Sequence, residues 1–157
     1  MIALTLFLTL AAAMPGKVLF ASGGWAAIDR GATCEALSRS LRAPAKELQP
    51  GIAGFAFDSD RRRWGRFHVR LGRQPRAGST VVLDLGGQPF LLESRGIEAW
   101  ARNSAQDQAI IDALRGATAM KVSGRDSRGR RFSELFEVRG AATAIDSAAA
   151  RCAGKSR

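Results

Sequence analysis

This sequence has no tyrosine, one histidine and two cysteines in 157 residues. Each scarcity excludes a chemistry. Without tyrosine there is no phenolic acid or base. One histidine with two distant cysteines falls short of the four ligands of a structural zinc site. Acidic residues are also under-represented, with 14 Asp and Glu against 24 Lys and Arg, a formal charge of +10. No hydrophobic run is long enough for a membrane-spanning helix, because the first one stops at Pro15 and Lys17. There is no G-x-S-x-G nucleophile elbow. Gly154-Lys155-Ser156 ends like a phosphate loop but lacks the leading glycine at the required spacing, and no helix can follow it. Asp58-Ser59-Asp60 reads as a turn, since the other ligands of a calcium loop are missing. His68 lies between Arg66 and Arg70, which oppose its protonation. No catalytic residue, metal site or cofactor is expected from these signals.

What is present suits one folded domain. The length allows a core of useful size, and 46% hydrophobic with 24% charged residues is a globular balance. The basic excess is mostly arginine, whose planar fork matches carboxylate and phosphate. It favours association with polyanions or anionic surfaces and says nothing about fold.

The N-terminus reads as an export signal. Ile2 to Leu10 is apolar and Ala11-Ala12-Ala13 offers a small-x-small cleavage site, with Ala21-Ser22-Gly23 as a second choice. The n-region has no Lys or Arg, so a buried core segment and a retained anchor stay open as alternatives. The division expected is a signal over 1–13, with cleavage as late as 23 in the second case, one domain over 14–153 and a basic tail over 154–157. Export predicts a periplasmic or secreted protein. An oxidising compartment then predicts a disulfide between Cys34 and Cys152, the competing reading being two unrelated buried thiols.

After the signal, strand-like alternation predominates. Gly23-Gly24-Trp25 opens a strand through Ile28. CEALSRSL fits either a helix, through Leu37 and Leu41, or a strand face, through Cys34, Ala36 and Ser38. RAPAKELQPG is a loop, and Phe55 and Phe57 alternate in a strand that turns at Asp58. STVVLDL and PFLLES flank a Gly86-Gly87-Gln88 hairpin turn. Ser104 is placed as N-cap of a short helix carrying Ile110, Ile111 and Leu114, ending at Gly116. A second hairpin sets Met120 and Val122 against Phe132, Phe136 and Val138. Finally, Ile145, Ala148, Ala149 and Cys152 share one face of a C-terminal helix stopped by Gly154. The expected fold is mainly β: a single-domain antiparallel β-sandwich-like fold with one short internal helix and a C-terminal helix.

The most distinctive stretch is DSDRRRWGRFHVRLGRQPR. From Arg66 it alternates with period two, which places Phe67, Val69 and Leu71 on one face and Arg66, His68 and Arg70 on the other. Trp64 falls on the basic face by the same count. Two readings stand side by side. One is a half-buried strand with a solvated basic side. The other is an anion-binding face in which Trp64 stacks while Arg66 and Arg70 contact phosphate. The turn of the second hairpin adds Arg125, Arg128, Arg130 and Arg131; Arg128 and Arg130 join Trp64, Arg66 and Arg70 as candidate anion-binding residues, the bland alternative being a solvated turn.

GGWAAIDRGATC, SGRDSRGRRFSELFEVRG and RGAATAIDSAAARC together resemble a group of small exported bacterial proteins, distantly similar to the invasion-associated locus B family. The likeness spans most of Val18 to Cys152 and is strongest in the last third. It implies an exported β-rich domain with Trp25 near its start and a terminal helix packed on the sheet. It brings no catalytic residues. Better-known members have additional cysteines, and the close group places an aromatic where this chain has Glu35. The function expected is a non-catalytic cell-envelope or secreted protein that binds a protein or surface partner; the alternative is a basic module for lipopolysaccharide, acidic lipid, polysaccharide or nucleic acid.

Overall fold

The computed structural model describes residues 16–42, 46 and 48–155. The signal expected over 1–13 lies outside them, as does part of the RAPAKELQPG loop. The elements are β1 (Lys17–Ser22), β2 (Trp25–Asp29), β3 (Thr33–Arg39), β4 (Ile52–Asp58), β5 (Trp64–Arg70), β6 (Val81–Leu85), β7 (Gln88–Arg95), β8 (Glu98–Trp100), α1 (Ser104–Gly116), β9 (Met120–Arg125), β10 (Arg131–Phe136) and α2 (Ala141–Ala153). The strands form one ten-stranded sheet in the order β1-β2-β3-β4-β5-β8-β7-β6-β9-β10, and each pairing is antiparallel. The mainly β, single-domain reading with two helices is therefore correct.

Alternation decides which face each strand buries. Cys34, Ala36 and Ser38 are buried on β3 while Thr33, Glu35 and Leu37 are half-buried, so CEALSRSL is a strand paired on both sides. Phe67, Val69 and Leu71 face the core, as the period-two count requires. On β6, β9 and β10 the inner set is Val81, Leu83 and Leu85, then Met120 and Val122, then Phe132 and Phe136. The sheet curls so that its two ends approach: Leu41 donates its N–H to the Leu135 carbonyl at 2.8 Å, and the Trp25 indole N–H donates to the Glu137 carbonyl at 2.6 Å.

Both helices pack on the inner side of the first half of the sheet. Ala144, Ile145, Ala148 and Cys152 of α2 are buried, and Cys152 is bonded to Cys34 of β3 with the Cα atoms 5.8 Å apart. The start of α2 needs Gly140: its φ of 91° is left-handed, and a Cβ there would sit 2.3 Å from the Ser22 carbonyl oxygen. In α1 the N-cap is Asn103, one residue before the expected Ser104, and its side chain accepts from the Gln106 N–H at 2.9 Å. Ser104 already has helical geometry, and Asn103 alone is extended enough to place its carbonyl oxygen over the first turn. β1 and β8 are additions to the elements expected from sequence; β1 lies before the second cleavage choice, so processing at 23 would remove an edge strand.

Candidate anion-binding face

The basic surface is built from β5 outward. A β-bulge interrupts the pairing of β4 and β5: Ala56 faces Arg66 but Phe57 faces Trp64, leaving Gly65 as the extra residue. Gly65 has φ of 70°, and a Cβ there would stand 2.9 Å from Ile111 Cδ1. The inserted residue reverses the alternation, so Trp64 is not on the face of Arg66, His68 and Arg70. It turns inward, half-buried against the core, edge-on to Phe57 with ring centroids 5.2 Å apart. Arg61 lies over the Trp64 ring at 3.7 Å and covers its wet side. The expected role of Trp64 as a base- or sugar-stacking surface is corrected accordingly: Trp64 closes one end of the core.

The aromatic of the outer face is Trp100. It pairs across strands with His68 on β5 and with Glu93 on β7. His68 sits between Gly54 and Trp100 in this outer row. Arg70, Glu98 and Arg95 form the next row, and Arg102 with Arg95 and Trp100 lines one shallow groove with Leu91 and Glu93. Sequence reasoning overlooked Trp100, Arg95 and Arg102. The signal was in SRGIEAWAR, where Gly96 turns the chain and returns Trp100 to the basic strand; periodicity within one segment does not report such pairing.

Arg66 is exposed and Arg70 half-buried. Arg128 and Arg130 lie elsewhere, with β8, β7 and β6 intervening between β5 and β9. Their turn is organised by buried Asp126. Its carboxylate accepts from the Arg128 and Arg130 backbone N–H groups, both at 3.0 Å, from the Arg130 guanidinium at 3.0 Å, and from Arg73 at 3.2 Å. Burial pushes the Asp126 pKa up, but the Arg130 and Arg128 donors outweigh it and hold the carboxyl below its ordinary value. Arg130 thus has a structural partner, while the Arg128 side chain is exposed.

Among the described residues no ion pair involves Arg66, Arg70, Arg95, Arg102, Arg125, Arg128 or Arg131. Glu93 and Glu98 share the outer face without pairing to an arginine. By contrast, Asp58 is held by Arg63 and Thr33, so the Asp58-Ser59-Asp60 turn is structural, and the Arg63 guanidinium is the main cause of the lowered Asp58 pKa. Among the described residues no group of three or more His, Cys, Asp or Glu is arranged to hold a metal, and no helix is long and apolar enough to cross a membrane. No protein-family model, no curated protein and no solved structure matches this chain.

Proposed function

We propose that this chain is a non-catalytic binding domain of an exported protein, resembling the invasion-associated locus B-like group, and that its partner is an anionic component of the envelope surface. The observation that carries this reading is the run of arginines that make no ion pair among the described residues along the outer face of one sheet, with Trp100 among them. Guanidinium groups lacking carboxylates are free to take phosphate or carboxylate oxygens from outside. A half-buried indole between them supplies a flat apolar contact for a sugar or base. The disulfide supports the exported setting, because such bonds persist in oxidising compartments.

Retention on heparin with increasing salt tests it. Several phosphate-like contacts predict a steep linear fall of log affinity with log salt. Replacing Trp100, Arg95 and Arg102 together by alanine is expected to move elution to clearly lower salt than an equal charge change at Arg30 and Arg62. Identical elution of the two variants would leave only bulk charge and overturn the reading.

A further inference from the structure

Next to the Trp100 groove and sharing Ser79 and Thr80 with it, where β6, β9 and β10 meet, a groove of about 540 Å3 is lined by Ser79, Thr80, Ser123, Arg125 and Arg131. Register creates it. Arg131 lies directly opposite Arg125, and both are exposed. Like charges placed across an antiparallel pair repel, so the arrangement is unfavourable while empty. No acidic residue relieves it: Asp126, the nearest in the hairpin, is buried and taken by Arg73 and Arg130. Arg125 is steadied by donating one N–H to the Gly129 carbonyl at 2.9 Å, and Arg131 makes no ion pair among the described residues. The neighbouring outer row, Val82–Ser123–Ser133, brings the Ser123 hydroxyl beside the pair. Among the described residues the hydroxyls of Thr80 and Ser123 have no hydrogen-bond partner, whereas that of Ser79 is taken by the Arg76 carbonyl at 2.7 Å.

We propose that this groove binds a terminal phosphate monoester. Two facing guanidinium groups match a dianion, and two hydroxyl donors supply further contacts to a tetrahedral oxyanion. A sulfate monoester, with one charge, neutralises only one of the two arginines. The inference rests on the anionic-partner reading and adds to it a defined end group. The monoester could belong to a lipid head group or to a phosphorylated sugar, and the experiment separates these.

Phenyl phosphate titrated into the disulfide-intact chain, followed by calorimetry, is expected to bind saturably at one site. Phenyl sulfate should bind about tenfold more weakly, the scale of one lost charge-assisted contact. Affinity should fall between pH 7.5 and 5 as the monoester, with a second pKa of about 6, takes up a proton. Arg131→Gln should weaken binding about tenfold or more, and Ser123→Ala by a smaller factor. Arg62→Ala, at the turn after β4 and outside both grooves, should leave it unchanged. Arg131 is exposed, so its replacement leaves the fold intact, and a thermal melt verifies this. Glucose 6-phosphate against vesicles of phosphatidylcholine with and without phosphatidate then identifies the source. Absence of saturable phenyl phosphate binding, or equal binding by Arg131→Gln, overturns the proposal. Should heparin retention still depend on Trp100, Arg95 and Arg102 in that event, the broader reading survives its loss.

Discussion

At the scale of single residues, two of the three tryptophans, Trp64 and Trp100, differ in placement. Trp64 closes the core beside Phe57, and Trp100 stands on the wet face beside His68. Trp64→Ala is expected to cost about 1–3 kcal/mol in urea unfolding, less than a fully buried aromatic because one side is covered only by Arg61. Trp100→Ala should leave the midpoint nearly unchanged while weakening heparin retention. Phe67 is fully buried between Phe55 and the strands around it, so Phe67→Ala should cost about 3–5 kcal/mol. Arg66→Ala, on the opposite face of the same strand, should stay within about 0.5 kcal/mol. Equal losses at 66 and 67 would refute the facing. Period two predicted the positions of Phe67, Val69 and Leu71 because the strand is regular there. It failed at Trp64 because one left-handed glycine inserts a residue.

At the scale of elements, buried carboxylates fasten helices to strands. Asp107 of α1 accepts the Phe67 N–H at 2.8 Å, at the point where β8 no longer runs beside β5. At the other end of the fold, Asp29 closes β2 onto the end of α2: it accepts from Lys155, from Arg151 at 2.6 Å and from the Gly31 N–H at 2.9 Å. The Lys155 and Arg151 donors hold the Asp29 carboxyl far below its ordinary value. A carboxylate whose pKa is depressed by folding contributes stability that is present above its unfolded pKa and lost as pH falls. Asp29→Asn is therefore expected to lower Tm at pH 7 and to flatten the decline of Tm below about pH 5. Parallel Tm–pH curves for the variant and the parent chain would exclude this fastening. The sequence showed α2 and its buried stripe plainly. It did not show Asp29 as a clamp, because the donors lie more than a hundred residues away along the chain.

At the scale of the whole molecule, two features hold the curled sheet together. Cys34–Cys152 closes a separation of 118 residues, and in the chain-entropy account a loop of this size restricts the unfolded state by about 4–5 kcal/mol. Reduction in denaturant, followed by unfolding of the blocked thiol form, is expected to show a loss near that size; a loss under about 1 kcal/mol would contradict it. The second feature is Glu134, which points into the core from β10 and is 1% exposed. Its Oε1 accepts the Gly72 N–H at 2.9 Å, its Oε2 has no hydrogen-bond partner among the described residues, and a Cβ on Gly51 would lie 2.2 Å from Oε2. Burial raises its pKa, with the Gly72 amide and Arg70 pulling back. For an acid raised by folding the contribution is fully present below the unfolded pKa and lost as pH climbs through the folded one. Glu134→Gln keeps the volume and removes the buried charge. It should raise Tm at pH 8, with the advantage shrinking toward pH 4; a lower Tm at both pH values would show that the carboxylate is needed as such.

Composition and period by themselves determined that this chain is one β-rich domain, which residues of β5 face inward, and that a helix carries Cys152 on its buried side. These are local consequences of alternation and helical spacing, and each is legible within about ten residues. Only the tertiary structure decided which strands are neighbours. Cross-strand register placed Trp100 beside His68, set Arg131 opposite Arg125, and brought Glu134 against Gly51 and Gly72. The physical reason is that a sheet is assembled from hydrogen bonds between distant segments: one bulge glycine or one tight turn changes which side chains meet, and no pattern inside a single segment records the partner.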